Sequence, residues 1–138
     1  MAKLRHIALA TSDADATAKF YREAFDFTEV GRVDHPLGYA ISLSDGTINL
    51  TVVRFKGVDQ LGKGMDFTGL HHFGFLVDDV DAASKKLESL GAACFMPRPP
   101  KDVVQTDGFE VKHRGPDGVV IDLCDHPWPG SAPLNQAG

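Results

Sequence analysis

The sequence repeats itself at a fixed offset, and this repeat constrains the fold more than any other feature. His6 and His72 are 72 − 6 = 66 residues apart, and at the same offset Asp13 meets Asp79 without a gap. Matching modules within one chain tend to pack with two-fold pseudo-symmetry. The sequence therefore predicts two equivalent modules.

Each module is predicted to contain a strand, a helix and three further strands. Apolar residues 4–11 and 70–77 indicate the first strands, and aspartates with short oxygen-bearing side chains then favour a helix start. The predicted fold class is α+β, with two βαβββ modules in one chain forming a curved mixed sheet around a cavity. The remaining predicted strands are 28–34, 37–43, 47–55, 92–96, 105–114 and 119–124.

We expect a single domain over residues 1–126, with module one at 4–56 and module two at 70–126. The glycine-rich stretch 57–69 between the modules is predicted to be a loop, and it is a candidate lid. The tail, residues 127–138, is rich in Pro, Gly, Ser and Ala. It is expected to be a mobile end or to lie against a partner subunit.

Composition excludes several classes of partner. The formal net charge is −5 and no Lys/Arg cluster forms a basic surface, so nucleic acid is not an expected partner. No apolar run approaches the roughly 20 residues that span a bilayer, and the N-terminus lacks the apolar core of a secretory signal. A cytoplasmic location is therefore expected, with Cys94 and Cys124 reduced and structural.

Both aligned histidines share a strand face with small or apolar residues. Because side chains alternate along a strand, His6 lies with Ala8, and His72 lies with Gly74. Small residues on that face leave room for a cavity. Each histidine alone is as readily explained by a hydrogen bond within the sheet, but matching positions in a repeat favour a shared function.

Asp122 interrupts an otherwise apolar strand at 119–124. A buried carboxylate is unfavourable unless it is paired or bound to a metal, although a solvent-facing position would also explain it. With His6 and His72 it would form a two-histidine, one-carboxylate set, which holds Fe(II) or related divalent ions and leaves positions open for substrate. Asn49 aligns with Asp122 when one inserted residue is allowed in the second module, and it is expected to bind substrate.

The two modules open with His-Ile-Ala-Leu and His-Phe-Gly-Phe, and the chain closes with Arg114–Leu123 as its final turn and strand. These motifs resemble the glyoxalase, bleomycin-resistance and extradiol dioxygenase superfamily, also called vicinal oxygen chelate, over residues 4–126. The resemblance implies an enzyme whose metal chelates two neighbouring oxygens of a small substrate. Proteins similar to glyoxalase I carry a carboxylate or Gln at the position of Asn49 and Glu at that of Asp122.

Three reactions or roles remain open at this point. The three-ligand count favours a ring-cleaving dioxygenase with Fe2+, although most such dioxygenases carry a second copy of the domain. The alternatives are a glyoxalase-like lyase or isomerase with a redox-inert ion, and a non-catalytic protein that binds a drug. Mn2+, Ni2+ and Zn2+ are the other candidate metals, and the ligand set argues against the non-catalytic role.

Several further residues are candidates for the chemistry. His35, Tyr39 and His113 are candidate acids, bases or substrate contacts. Trp128 is a candidate substrate-binding residue that covers either the cavity mouth or an interface. His71, next to His72, is expected to point to the opposite face. A homodimer is expected because half-open sheets have exposed edges that pairing covers.

Overall fold

The computed structural model describes residues 1–57, 61–64, 66–99 and 109–136. Within these ranges, module one contains β1 (Ala2–Ala10), α1 (Ala14–Phe25), β2 (Thr28–His35), β3 (Gly38–Ser44) and β4 (Asn49–Phe55). Module two contains β5 (Gly69–Val77), α2 (Val80–Ser89), β6 (Cys94–Met96), β7 (Val111–Arg114) and β8 (Val120–Cys124), with a short 3-10 turn at Pro116–Gly118.

The strands form one mixed sheet in the order β2-β3-β4-β1-β5-β8-β7-β6. β1 pairs with β4 in parallel, β5 pairs with β8 in parallel, and the antiparallel pair β1–β5 joins the two modules. The predicted α+β fold with two βαβββ modules is therefore confirmed. Because β1 and β5 are adjacent at the centre, the two aligned histidines lie on neighbouring strands.

The two helices begin in the same way, as the repeat predicts. The side chains of Asp13 and Asp79 accept hydrogen bonds from the backbone N–H groups of Ala16 and Ala82, each at 3.0 Å. Each aspartate thereby satisfies a free donor of the first helical turn. The cap also turns the chain from the end of the first strand into the helix.

Both helices cover the same face of the sheet and leave the other face for the site. The core under α1 contains Ala14, Ala18, Ile41, Leu43 and Val52, and the core under α2 contains Val77, Val80, Val111 and Leu123. Since strand side chains alternate, the intervening residues project to the face without helices. That face carries the polar residues described below.

Some predicted elements differ from the structure in their extent. β7 begins at Val111, and residues 105–108 of the strand predicted at 105–114 lie outside the described residues. Only 57, 61–64 and 66–69 of the predicted loop 57–69 are described, and the last of these opens β5. In the described part of the chain, neither helix is long and apolar enough to cross a membrane. Cys94 and Cys124 are both free thiols.

The C-terminal segment, residues 127–136, folds back on its own chain. The backbone N–H of Ala132 donates to the carbonyl of Thr47 at 2.9 Å, and the Ser44 hydroxyl donates to the carbonyl of Gly130 at 2.6 Å. Leu134 packs in an apolar cluster with Trp128. The segment therefore lies beside the turn between β3 and β4 of module one, and its apolar residues pack against Leu76 and Cys124 of module two.

Candidate metal centre

His6 on β1, His72 on β5 and Asp122 on β8 converge at one point. The Nε2 atoms of the two histidines are 3.1 Å apart, and His72 Nε2 lies 3.1 Å from Asp122 Oδ2. Three candidate ligand atoms, one from each residue, lie within 4.8 Å of one another. Neighbouring ligands on an octahedral ion with bonds of about 2.1 Å are separated by roughly 3.0 Å. The spacing therefore fits a divalent cation.

The outer nitrogen of each imidazole is engaged by a neighbouring side chain. His6 Nδ1 lies 2.7 Å from Asn49 Oδ1, and His72 Nδ1 lies 2.8 Å from His71 Nδ1. Because an amide oxygen only accepts hydrogen bonds, His6 carries its proton on Nδ1 and presents an unprotonated Nε2 to the centre. Such support is typical of histidines that bind metal.

The prediction that His71 points to the face opposite His72 is wrong, because strict alternation does not hold at this point of β5. Ala8 pairs with His72, but the next residue, Leu9, pairs with Leu70, so His71 is an extra residue in β5. Such a bulge changes the direction of the side chain. His71 is consequently buried with its ring against that of His72, instead of pointing to the opposite face.

Electrostatics keep His6 and Asp122 in the protonation states that metal binding requires. Burial, reinforced by the charge of His72, lowers the pKa of His6 from 6.5 to about 4, so its imidazole is neutral at neutral pH. Burial alone would raise the pKa of Asp122, but contacts with His72 and Lys112 hold it well below its usual range. Asp122 is therefore ionised.

The two oxygens of Asp122 have different environments. Oδ1 accepts a hydrogen bond from Lys112 Nζ at 2.7 Å, in a fully buried position. Oδ2 is also buried; its contact with His72 Nε2 at 3.1 Å does not have the geometry of a hydrogen bond, and no other described residue donates to it. A buried carboxylate oxygen without a donor is unfavourable unless a cation binds it. The donor chemistry thus fits a metal ligand at Oδ2.

The sheet register shows why Asn49 is not a counterpart of Asp122. Asp122 pairs with Gly74, which the 66-residue offset relates to Ala8, and Ala8 pairs with Thr51. Thr51 is therefore the register equivalent of Asp122 in module one. Asn49 has no exposed surface, and its Oδ1 accepts the hydrogen bond from His6 Nδ1, the ring nitrogen that faces away from the metal position.

A cavity of about 320 Å³ adjoins the centre and is lined by His6, His72, Glu110, Trp128 and Pro129 together with residues of β1, β3 and β4. The latter are Ala8, Ala40, Ser42, Thr51, Val53 and Phe55. The small side chains leave the space, and the Ser42 and Thr51 hydroxyls lie 3.3 Å apart on its wall. The cavity therefore combines an apolar surface with a few polar groups, as small-molecule sites do.

Glu110 and Lys112 belong to the site and were not identified from the sequence. Glu110 Oε1 accepts a hydrogen bond from Trp128 Nε1 at 3.0 Å, and Glu110 Oε2 lies 3.6 Å from Lys112 Nζ. Burial and the neighbouring Asp122 raise the pKa of Glu110. One sequence signal could have identified them: alternation along the strand predicted at 105–114 places positions 110 and 112 on the same face.

His113 lies on the helix-covered face of the sheet. It has no exposed surface; Nδ1 lies 2.8 Å from the carbonyl of Ala92 and Nε2 lies 2.7 Å from the Ser84 hydroxyl. A carbonyl only accepts, so Nδ1 donates to it and the ring is held by both nitrogens. The structure gives no geometric support for the acid or base role predicted for His113.

Tyr39 and His35 also lie away from the cavity. Tyr39 packs against the core beneath α1, and its hydroxyl contacts Arg32. His35 is exposed at the end of β2, where its Nδ1 accepts a hydrogen bond from the backbone N–H of Leu37 at 3.1 Å. Trp128, in contrast, lines the cavity and stacks on the ring of His6.

The family model of the Glyoxalase/Bleomycin resistance protein/Dioxygenase superfamily matches residues 3–123. The chain belongs to this superfamily. A vicinal oxygen chelate fold of this kind accounts for the paired modules. All three candidate ligands come from one chain.

Individual proteins resemble this chain over most of its length. The uncharacterized protein YaeR of Escherichia coli (strain K12) is 25% identical over 130 residues, covering 89% of this chain and 95% of YaeR. The Streptomyces coelicolor methylmalonyl-CoA epimerase in complex with 2-nitronate-propionyl-CoA is 21% identical, with a TM-score of 0.67 over 88% of this chain and 92% of the epimerase. A selenomethionine methylmalonyl-CoA epimerase is 25% identical, with a TM-score of 0.63 over 91% of this chain and 95% of that one.

Proposed function

We propose that the protein is a metal-dependent enzyme that moves a proton on a small substrate bound through two adjacent oxygens. The observation that carries this proposal is the presence of two kinds of group on one cavity. His6, His72 and Asp122 form a convergent donor set, and Glu110 is a carboxylate outside that set. One group of residues would hold the ion, and the other would accept the proton.

The divalent ion would be held by His6 Nε2, His72 Nε2 and Asp122 Oδ2. When bound, it supplies Lewis acidity that favours negative charge on the substrate oxygens. The donor set consists of two imidazole nitrogens and one carboxylate oxygen. Such a set suits Fe2+, which remains the favoured ion, and also Mn2+, Ni2+ or Zn2+.

Glu110 is the proposed proton acceptor. Its Oε1 is held by the indole N–H of Trp128, and its Oε2 lies near Lys112 Nζ, so the carboxylate is fixed at the cavity wall. A raised pKa brings a carboxylate closer to neutral pH, where a general base is most effective. The hydroxyls of Ser42 and Thr51 would contact the substrate on the opposite wall.

The relatives support proton transfer as the type of reaction. The Streptomyces coelicolor epimerase was crystallised with a propionyl-CoA derivative, and epimerisation inverts a carbon centre. Inversion next to a carbonyl requires removal and return of a proton. A substrate that presents neighbouring oxygens beside an acidic C–H bond would suit the cavity of this chain.

The test is hydrogen exchange at substrate carbon. The protein is stripped with chelator, reconstituted with Co2+ or Zn2+, and incubated in D2O with 2-substituted malonyl thioesters, 2-hydroxy ketones and hemithioacetals. We expect metal-dependent deuterium incorporation into one class, reduced at least about 100-fold by Glu110→Gln. Glu88→Gln, an exposed carboxylate on α2, is the control. Metal binding without exchange in any class would contradict the proposal.

Oxidative ring cleavage is the second candidate, because three protein ligands leave positions open for a catechol and O2. Its test is O2 uptake by the anaerobically reconstituted Fe2+ protein with a panel of catechols. Stoichiometric O2 consumption that depends on His72 would favour this reaction. If the purified protein instead held no stoichiometric metal and gained none on reconstitution, a non-catalytic binding role would replace both.

A further inference from the structure

The C-terminal segment contacts the metal centre at two places. The Trp128 indole stacks on the His6 imidazole, with ring centroids 4.9 Å apart and an interplanar angle of 4°. Next to it, the carbonyl of Pro129 accepts a hydrogen bond from Asn49 Nδ2 at 2.9 Å. Both contacts affect His6. Trp128 stacks on its ring directly, and Pro129 acts through Asn49, whose Oδ1 accepts the hydrogen bond from His6 Nδ1.

The Pro129 carbonyl determines which way the Asn49 amide points. A carbonyl only accepts, so it requires the NH2 group of Asn49 on its side, and this turns Oδ1 towards His6. The amide orientation in turn fixes the proton of His6 on Nδ1. The backbone of the C-terminal segment therefore helps to direct the unprotonated Nε2 of His6 at the metal position.

Arg5 holds the C-terminal segment in place. Its Nε donates to the carbonyl of Ala132 at 2.9 Å, and its Nη2 donates to the carbonyls of Gln136 at 3.1 Å and Pro133 at 3.4 Å. The side chain is 2% exposed, although these partners lie more than 120 residues away along the chain. An arginine buried to this degree requires such partners to satisfy its donors.

The position of Arg5 in the sheet is also unusual. Leu4 pairs with Phe75 and His6 pairs with Gly74, so Arg5 is an extra residue between them in β1. A bulge of this kind changes the direction of a side chain, and it allows Arg5 and the adjacent His6 both to be buried. The same bulge in β1 thus allows Arg5 to bind the C-terminal segment and His6 to face the metal position.

We propose that Arg5 is a positioning residue of the metal centre, which acts through the C-terminal segment to orient His6. The inference rests on the proposed function only for its metal-binding consequence. The anchoring of Trp128 against His6 is a separate and independently measurable part. Loss of Arg5 releases Trp128 and Asn49 from their positions and weakens metal binding, although Arg5 itself contacts neither metal nor substrate.

The test uses Trp128, the single tryptophan of the chain, as its probe. Full-length Arg5→Met is compared with Arg54→Met, which removes another arginine-to-carbonyl hydrogen bond, from Arg54 to Ser12, far from the segment. Acrylamide quenching of tryptophan fluorescence is measured in the metal-free proteins, and Co2+ affinity by calorimetry. We expect the quenching constant to rise about threefold and the Kd for Co2+ about tenfold in Arg5→Met only, with partial rescue by Arg5→Lys.

A second pair of variants disturbs the segment without changing Arg5. A Cβ added at Gly130 would lie 2.6 Å from the Cβ of Ser44, whereas one added at Gly62 meets nothing within 4 Å, and both glycines have a φ of 76°. Gly130→Ala should therefore raise acrylamide quenching and the Kd for Co2+, and Gly62→Ala should change neither. If Arg5→Met does not fold, this pair tests whether the position of the C-terminal segment controls the exposure of Trp128 and the affinity for Co2+.

The outcomes separate the inference from the function on which it partly rests. Folded Arg5→Met or Gly130→Ala with the quenching and Co2+ affinity of its control would overturn the positioning role. Absence of Co2+ binding by the unaltered protein would overturn the proposed function and the metal-binding consequence together. In that event, the acrylamide measurement alone still supports or rejects the anchoring of Trp128 by Arg5.

Discussion

Lys112 Nζ lies 2.7 Å from Asp122 Oδ1, and both side chains are buried where β7 and β8 pair. The lysine neutralises a carboxylate that also faces the metal position. A buried ion pair contributes little by itself compared with an apolar pair, but removing one partner leaves an unpaired buried charge. Lys112 is therefore expected to matter for stability even though it is not a candidate ligand.

Replacement of Lys112 by Met should destabilise the metal-free protein by about 3–5 kcal/mol, because Asp122 loses its counter-ion. Urea denaturation monitored by circular dichroism gives the free energy of unfolding. Lys56→Met is the control, since Lys56 forms an exposed ion pair with Asp34 and exposed pairs contribute about 1 kcal/mol or less. Equal losses in the two variants would contradict the structural role of Lys112.

Replacement of Asn49 by Ala should weaken metal binding by about 10- to 100-fold, because His6 loses the acceptor that fixes its tautomer and ring orientation. Calorimetric titration with Co2+ or Zn2+ measures the effect. Ser42→Ala, which removes a polar group from the cavity wall without touching His6, should bind metal as the unaltered protein does. An Asn49→Ala protein of unchanged affinity would show that the hydrogen bond is dispensable.

The architecture and the proximity of His6, His72 and Asp122 were predictable from the sequence. The 66-residue offset aligned His6 with His72, and alternation placed each of them on a strand face with small or apolar residues. Asp122 was identified because a lone carboxylate in an apolar strand is unfavourable without a partner. These arguments need only local patterns and one long-range repeat.

The supporting residues were harder to predict, because bulges break the alternation on which such arguments depend. A bulge at His71 turns that ring back beside His72, and another at Arg5 buries a charged side chain. Lys112 and Glu110 resemble ordinary surface residues in a charged stretch. The composition of residues 127–138 indicates a mobile end, and nothing local shows that Arg5 binds the carbonyls of that segment.

Gly74 provides the space in which Trp128 stacks on His6. A Cβ added at Gly74 would lie 2.7 Å from Cζ2 of Trp128 and 2.8 Å from Cβ of His6. Gly74→Ala should therefore destabilise the protein by about 1–3 kcal/mol, because a packed site resists added volume, and it should weaken Co2+ binding. Gly31→Ala, with nothing within 4 Å of the added Cβ, is the matched control for thermal unfolding and calorimetry. Equal melting temperatures and affinities would refute the close packing.

The stability of the metal-free protein should depend on the protonation of His6. The folded-state pKa of about 4 lies below the unfolded value of 6.5, chiefly because burial disfavours the imidazolium. Between these two values the unfolded chain binds more protons, so the stabilisation is present above about pH 6.5 and is lost as the pH falls towards 4. Linkage gives a contribution of about 3 kcal/mol across this window.

The measurement is the free energy of unfolding in urea, with chelator present, at several pH values between 4 and 7.5. His6→Gln keeps a polar side chain at this position but cannot titrate, so its curve should lack the contribution of His6 and be flatter by about 3 kcal/mol over the same range. The Asp122 carboxylate, with its lowered pKa, titrates below this window and does not produce the same slope. Parallel curves for the two proteins would mean that His6 is accessible to protons in the folded state, and a buried neutral ligand at this position would then be untenable.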